Sequence, residues 1–257
     1  MKWYKSLHAS KGRDDARAFL VEGKRAIQQI AQVAGYRISE IIYSEDMEEI
    51  SGLACPLRYI TSSQFRSIGL SQHPSGPIAV VTLPDGCTDA ELPPVCGNKV
   101  LVLEDIQDPG NAGTLVRSAA AFDFTGIVCS DKCADLFSPK AMQASCGAMV
   151  SMWLRRTSAY RTLLEALKSK GFRIVAADIR GGELGKARPF VAAENLAVVL
   201  GNEGSGISPE TLGIAHEVLK IAFNDKKVES LNVAASGAIL MYLTCCNPNQ
   251  QAADNSL

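Results

Sequence analysis

The first third of the chain alternates short apolar runs with helix-like segments. Four runs are rich in β-branched and aromatic residues, as strands are, and they comprise residues 19–21, 38–43, 57–60 and 78–82. A helical pattern over residues 24–34 stops at Gly35, a short acidic helix is predicted near Asp46, and another helix is predicted to begin at Ser62 or Ser63. This alternation predicts a small α/β unit.

The pattern changes after residue 83. Residues 84–98 are rich in Pro, Gly and acidic side chains, which predicts a linker. Five buried-strand runs then alternate with helical segments, and they comprise residues 100–103, 126–129, 173–177, 196–200 and 218–221. Such alternation predicts a mostly parallel sheet with helices on both faces. The predicted division is a first domain over residues 1–83, a linker over 84–98, a second domain over 99–248 and a tail over 249–257.

Three polar segments in the second domain are predicted to meet at one ligand site, and they comprise residues 105–117, 199–207 and 229–235. The first places Asn111 and Arg117 at or near a helix N-terminus. The second is a glycine-rich loop whose single ionisable side chain is Glu203. In the third, Ser230 suits the N-cap of an apolar helix, whose free N–H groups would face a ligand. Ligands of open α/β sheets bind at the carboxyl ends of the strands.

These segments resemble the signature motifs of SpoU/TrmH-type RNA 2′-O-ribose methyltransferases of the SPOUT superfamily. The matches are Asn111-x-Gly-x-x-x-Arg117, Leu200-Gly-Asn-Glu-Gly-Ser-Gly206 and Ser230-Leu-Asn-Val233. Upstream, Lys11-x-Arg13 followed by Phe19-Leu-Val-Glu-Gly23 is similar to the start of the small RNA-binding domain that many members carry. The chain departs from the family pattern twice, because Ile221-Ala-Phe223 replaces Ile-Pro-Met and Gln143 replaces an arginine. Neither departure removes a residue assigned to chemistry.

The resemblance implies an α/β fold with a SPOUT-type mostly parallel sheet, a C-terminal trefoil knot and a small N-terminal L30e-like RNA-binding domain. It also implies a homodimer. The apolar face of residues 231–243 is compatible with a dimer interface, although burial in the core would explain it equally well.

The implied reaction transfers a methyl group from S-adenosyl-L-methionine to a ribose 2′-hydroxyl of structured RNA, with ribosomal RNA the first expectation and transfer RNA the second. The sulfonium already activates the methyl group, so no metal is expected. A guanidinium holds its proton strongly and is a poor base, so Arg117 is expected to stabilise charge on the 2′-oxygen, with a deprotonated guanidine acting as base as the alternative. The implied catalytic residues are Asn111, Arg117, Glu203, Ser230 and Asn232. The implied cofactor-binding residues are Leu200, Gly201, Asn202, Gly206, Ile221, Ser230 and Leu231.

The distribution of basic residues along the chain indicates a candidate RNA-binding surface. The net charge of −1 gives no sign of a nucleic-acid partner, but residues 1–30 carry seven basic against three acidic side chains, a local excess of +4. The predicted RNA-binding residues are Lys11, Arg13, Lys24 and Arg25. A second basic cluster comprises Arg155, Arg156 and Arg161. Solvated helix faces are the alternative explanation for both clusters.

Other features of the sequence narrow the range of possible functions. Eight scattered cysteines without a C-x-x-C pair favour reduced core thiols over zinc or disulfides, and His8, His73 and His216 have no ligand-spaced partner. No apolar run approaches the roughly 18 residues of a membrane span, so a cytoplasmic protein is expected. Two other functions stay open. One is a noncatalytic RNA-binding or ribosome-assembly protein on the same fold. The other is a nucleotide-binding module, which the missing Gly-Lys-Ser/Thr ending and the anionic Glu203 disfavour.

Overall fold

The computed structural model describes residues 1–71, 74, 76–183 and 194–244. His73, Cys245, Cys246 and the predicted tail lie outside the described residues. The six described cysteines are free thiols, and Cys146 is exposed whereas the other five are wholly or partly buried. No helix among the described residues is both long and apolar enough to span a bilayer.

The first sheet has four strands in the order β1-β4-β2-β3. Its strands are β1 (Ala18–Glu22), β2 (Ile38–Ser44), β3 (Leu57–Ile60) and β4 (Ile78–Thr82), and the helices around it are α1 (Lys2–Ser6), α2 (Ser10–Ala16), α3 (Lys24–Ile30) and α4 (Ser62–Arg66). Strand β4 is antiparallel to β1 and β2, while β3 is parallel to β2. Successive side chains of β1 alternate between two cores, because Phe19 and Val21 pack on one side and Leu20 on the other.

The second sheet has six strands in the order β10-β8-β9-β5-β6-β7, and every pairing between them is parallel. The strands are β5 (Lys99–Leu103), β6 (Gly126–Cys129), β7 (Trp153–Arg156), β8 (Arg173–Glu183), β9 (Leu196–Leu200) and β10 (Glu217–Lys220). The helices are α5 (Pro109–Ala121), α6 (Pro139–Ser145), a 3-10 helix (Ala148–Ser151), α7 (Tyr160–Ser169), α8 (Pro209–Ile214) and α9 (Val233–Leu243). The predicted mostly parallel α/β sheet is confirmed.

Helices cover both faces of this sheet. Leu101 and Leu103 of β5 pack with Leu115 of α5, whereas Val100 and Val102 pack with the apolar face of α7. A strand buried on both faces has no polar alternation, which is why β5 is a continuous apolar run in the sequence. The two sheets fall within the two predicted domains, and the domain boundaries themselves stay predictions.

The two units are joined through a continuous core. The rings of Phe19 and Phe137 lie 4.6 Å apart between centroids, and both belong to the same apolar cluster. Beside them Arg13 is only 2% exposed, and its guanidinium donates to the Leu7 carbonyl at 2.8 Å and to the carboxylate of Asp135. Arg13, which was predicted to bind RNA, thus has its donors used inside the protein.

The basic cluster around β7 is also structural in part. Arg155 donates to the Glu91 carbonyl of the predicted linker at 2.7 Å, and Arg156 donates to the carbonyls of Asp131 and Cys133. The sequence did not predict β7, because Trp153 and Leu154 are its only apolar residues and it lies at an edge of the sheet. Two charged side chains in a short edge strand obscure its pattern.

Three other elements differ from prediction. The residues near Asp46 form a turn instead of a helix, since one backbone bond from Met47 to Ser44 closes the chain there. Helix α3 ends at Ile30, before residue 34, because the N–H groups of Gln32 and Val33 bond three residues back, as in a 3-10 turn. Strand β8 extends to Glu183, since its last residues pair with β10 after a register shift.

Candidate active site

A cavity of about 860 Å³ opens at the carboxyl ends of β9 and β10, beside residues 177–180 of β8, and we call it the cofactor cavity. Every predicted catalytic or cofactor-binding residue except Arg117 lines it, and these residues are Asn111, Leu200, Gly201, Asn202, Glu203, Gly206, Ile221, Ser230, Leu231 and Asn232. The three polar segments that are far apart in the sequence thus meet at one place.

The glycine-rich loop after β9 closes on itself. Asn202 and Gly206 exchange two backbone hydrogen bonds of 3.0 Å, and the Asn202 side-chain oxygen accepts from the N–H groups of Gly204 and Ser205 at 2.9 Å. The Asn202 amide nitrogen donates to the Asp105 carbonyl at 2.8 Å. A Cβ added at Gly201 would lie 2.4 Å from the backbone carbon and oxygen of Gly206, so this crossing requires glycine.

Glu203 anchors a chain of hydrogen bonds across the cavity. Its carboxylate accepts from the N–H groups of Gln107 and Asp108 and from the amide nitrogen of Asn111 at 3.1 Å. The Asn111 oxygen then accepts from the amide nitrogen of Asn232 at 3.0 Å. Because an ionised carboxylate only accepts, the orientation of both amides is fixed by Glu203.

Glu203 is held in its ionised form. Burial alone would raise its pKa, but the hydrogen bonds donated by the Gln107 N–H group and the Asn111 amide outweigh burial and lower the pKa. An ionised Glu203 has no proton to give and little affinity for one. Its geometry therefore suits orienting Asn111 better than acting as an acid or base.

Asn232, not Ser230, caps the last helix. The Asn232 side-chain oxygen accepts from the N–H groups of Ala234 and Ala235 at 2.8 and 3.3 Å. The prediction of Ser230 as N-cap is wrong, because α9 begins at Val233 and the cap position falls on Asn232. Ser230 lies in the preceding loop and lines the cavity.

Asp178 and Arg180 are cavity residues that the sequence analysis missed. The Arg180 guanidinium donates to both Asp178 oxygens and to the Ile207 carbonyl at 2.6 Å, so it joins β8 to the glycine-rich loop. This guanidinium lowers the pKa of Asp178. Both residues lie beyond residue 177, where β8 was predicted to end, and the signal that could have found them is the Asp-x-Arg pair after that run.

Asp105 was also missed, although it supports the site. Its φ is +56°, a left-handed conformation that costs a non-glycine residue about 1 kcal/mol. Ser130 donates to its carboxylate at 2.6 Å and accepts from its N–H group, which holds this turn. The turn directs the Asp105 carbonyl toward Asn202. An aspartate two residues after the end of a buried strand was the available signal, since Asp tolerates this conformation.

Arg117 lines a different cavity. It is exposed on α5, six residues after Asn111, so the two side chains leave the helix about 120° apart and about 9 Å along its axis. Arg117, Lys24 and Arg25 all line a cleft of about 750 Å³ between the two units. Lys11 is exposed but lines neither this cleft nor the cofactor cavity.

Residues at both departures from the family pattern line these two cavities. Phe223 lines the cofactor cavity, and its ring lies 5.7 Å from the Lys220 ammonium. Gln143 lines the cleft beside Arg117. Among the described residues, no group of three His, Cys, Asp or Glu side chains could hold a metal ion.

Known proteins resemble the chain over nearly its whole length. A 23S rRNA (guanosine(2553)-2′-O)-methyltransferase, RlmP of Bacillus subtilis, is 27% identical over 94% of both chains. A solved structure from Porphyromonas gingivalis, assigned to the TrmH family, is 31% identical with a TM-score of 0.82 over 95% of both chains. AviRb of Streptomyces viridochromogenes, a SpoU methyltransferase solved with AdoMet, has a TM-score of 0.83 at 20% identity over 98% of this chain and 97% of its own, which shows a shared fold. The model of the SpoU rRNA Methylase family matches residues 98–242, and the chain belongs to this family.

Proposed function

We propose that this protein transfers a methyl group from S-adenosyl-L-methionine to a ribose 2′-hydroxyl of structured RNA. Ribosomal RNA is the first proposed substrate and transfer RNA the second. The observation that carries the proposal is the meeting of Asn111, Glu203, Ser230 and Asn232 in one cavity whose glycine-rich loop is closed by its own hydrogen bonds. The name of the B. subtilis relative, a ribose methyltransferase of 23S rRNA, supports the choice of substrate.

The cofactor cavity fits the proposed cofactor in size and chemistry. Its volume of about 860 Å³ lies within the range of about 300–1,000 Å³ that is usual for small-molecule sites. Leu200, Ile221 and Leu231 give an apolar wall for the adenosine, and Gly201 and Gly206 allow the backbone to approach closely. The lining carries three carboxylates, those of Asp178, Glu203 and Glu229, against the two cations Arg180 and Lys220, and this net negative charge suits a ligand that carries a sulfonium cation.

The proposed mechanism relies on positioned polar groups. The bound cofactor supplies a methyl group on a sulfonium, so that an oxygen–carbon bond to the ribose forms as the sulfur–carbon bond breaks. Glu203 holds the Asn111 amide, and Asn111 and Asn232 orient the target ribose, while Ser230 shapes the end of the cavity where transfer occurs. Arg117 lines the neighbouring cleft, and from there its long side chain is proposed to contact the 2′-oxygen and the adjacent phosphate and to stabilise the negative charge that develops as the hydroxyl proton is lost to water. A deprotonated Arg117 guanidine acting as base is the alternative.

A noncatalytic RNA-binding protein on the same fold is the second candidate function. The hydrogen-bonded chain from Glu203 through Asn111 to Asn232 favours catalysis, because RNA binding alone does not need ordered amides inside a separate cavity. Calorimetric titration with S-adenosyl-L-methionine separates the two functions, since only the enzyme needs this ligand.

The activity is tested by mapping ribose methylation. In RNA from cells that lack this protein, we expect one ribose of ribosomal RNA to lose its 2′-O-methyl group, detected as renewed cleavage by alkali at that nucleotide. Expression of the wild-type chain restores the protection, and the Asn232→Ala variant does not. Loss confined to transfer RNA selects the second substrate class. An unchanged profile in both RNA classes contradicts the proposed function.

We also propose a homodimer that forms through α9. Helix α9 is strongly apolar, and its Ile239 side chain is 40% exposed. Near the end of the helix, the Tyr242 ring packs against Phe122. The Ile239→Glu variant is expected to sediment with half the mass of the wild-type protein, because a charge at an apolar interface is costly. Leu57→Glu is the matched control, since Leu57 is also 40% exposed but lies on β3. A monomeric wild-type protein contradicts this proposal.

Two finer features of the fold and the location of the protein also belong to this proposal. We propose a trefoil knot in the C-terminal part, an L30e-like fold of the first unit and a cytoplasmic location. An experimental structure whose chain is unknotted when its ends are joined would contradict the first, a first sheet with another strand order would contradict the second, and recovery of the protein from membranes on cell fractionation would contradict the third.

A further inference from the structure

The cleft between the two units is a candidate site separate from the cofactor cavity. It has a volume of about 750 Å³ and lies between α3 on one side and α5 and α6 on the other. The units touch at its edge, where a Cβ added to Gly147 would lie 3.0 Å from the Ala26 Cβ. The cleft is therefore formed by the way in which the two units pack together.

The charges in the cleft favour an anion. Its charged lining residues are the cations Lys24, Arg25 and Arg117 and the single carboxylate of Glu22. Within the part of the chain that the structure describes, none of the three cations forms an ion pair. Glu22 is occupied, because it accepts from the N–H groups of Leu70 and Ser71 and from the Ser71 hydroxyl. Exposed cations without partners suit phosphate groups.

The remaining lining suits an unpaired base. Ala26, Ala120 and Met142 offer an apolar surface, and the exposed amides of Gln29 and Gln143 offer donors and acceptors to the edge of a base. Duplex RNA is recognised across its grooves from outside, whereas unpaired nucleotides can enter such recesses. The volume also lies within the range of about 300–1,000 Å³ of small-molecule sites.

Helix α5 connects the cleft to the cofactor cavity. Asn111 lines the cofactor cavity and Arg117 lines the cleft, and they are about 9 Å apart along the helix axis. We propose that the cleft holds an unpaired nucleotide adjacent to the methylated one, with its phosphates against Lys24, Arg25 and Arg117. This inference rests on the proposed function, because it assumes an RNA strand that extends along α5 from the cofactor cavity.

The first test measures RNA affinity without cofactor. The probe is a short fluorescein-labelled single-stranded RNA of mixed sequence, and the double variant Lys24→Gln, Arg25→Gln is expected to raise its Kd about tenfold. The slope of log affinity against log salt concentration should become shallower by about 1.4, since each lost phosphate contact to a single strand removes about 0.7. The control is Lys170→Gln, an exposed lysine that follows α7 and lines neither cavity. The same RNA as a duplex should compete poorly.

The second test uses Cys146 as a reporter, because this exposed thiol lines the cleft. The single-stranded RNA is expected to slow alkylation of Cys146 by N-ethylmaleimide several-fold, followed by mass spectrometry of its peptide. The protection should persist in Asn232→Ala, because Asn232 lines the cofactor cavity and not the cleft. S-adenosyl-L-methionine without RNA should give no protection.

The outcomes separate this inference from the proposed function. Suppose that RNA leaves Cys146 unprotected and that the double variant has an unchanged Kd, in a protein that still methylates RNA. This result overturns the proposal that the cleft binds a nucleotide and leaves the methyltransferase proposal intact. Protection of Cys146 in a protein that transfers no methyl group contradicts the methyltransferase proposal, and it overturns the assignment of the cleft to the neighbour of a methylated nucleotide while leaving the cleft an RNA-binding site.

Discussion

Replacing Gly201 with alanine is expected to raise the Kd for S-adenosyl-L-methionine about 100-fold, measured by isothermal titration calorimetry. The added Cβ would lie 2.4 Å from the Gly206 carbonyl and 2.6 Å from the Ile207 side chain. The loop could relieve this overlap only by separating Asn202 from Gly206, whose paired hydrogen bonds close it. The loop would then lose the shape that forms one wall of the cofactor cavity, and we expect a loss of about 1–3 kcal/mol in the free energy of unfolding.

Gly204→Ala is the matched control in the same loop. A Cβ at Gly204 meets Asn202 Oδ1 at 3.5 Å, an ordinary contact, so the variant should unfold at the wild-type temperature and keep most of its cofactor affinity. If the two alanine variants lower cofactor affinity equally, the closed shape of the loop is not what the cofactor requires.

Arg117→Lys is expected to lower kcat for RNA methylation about 100- to 1,000-fold, measured with saturating RNA and cofactor. Lysine keeps the positive charge but loses the planar pair of donors that can contact the 2′-oxygen and a phosphate together. The Kd for S-adenosyl-L-methionine should not change, because Arg117 lies outside the cofactor cavity. The control is the reverse substitution, Lys170→Arg, at an exposed position that follows α7, and it should leave kcat unchanged.

The pH profile of this variant separates the two roles of Arg117. If the residue stabilises charge, the lysine variant stays slow at every pH. If it acts as the base, turnover by the variant should rise with pH toward the ordinary lysine pKa of about 10.4. Wild-type turnover by Arg117→Lys would contradict both roles.

The sequence predicted the site well where it depends on local motifs at strand ends. A buried parallel strand is an apolar run, and the glycines and asparagines that follow it mark the turn. Strands β5, β6 and β9 were therefore predicted closely, and so was the convergence of Asn111, Glu203 and Asn232, since parallel strands align their carboxyl ends.

What the sequence could not predict depends on packing between distant residues. Arg13 is indistinguishable from its basic neighbours until Asp135, 122 residues away, lies beside it. The same holds for Arg117, because the motif places it on α5 but not toward the cleft that it shares with Lys24. The prediction of the N-cap residue of α9 failed for a related reason, since the choice between Ser230 and Asn232 depended on where this helix begins.

The buried pair of Arg13 and Asp135, together with the contact of Phe19 with Phe137, also limits how this protein can evolve and be engineered. Removal of the first 83 residues would leave a carboxylate without its cation and an aromatic ring facing water. A first unit held in this way cannot be exchanged between related proteins unless the surface that receives it changes as well.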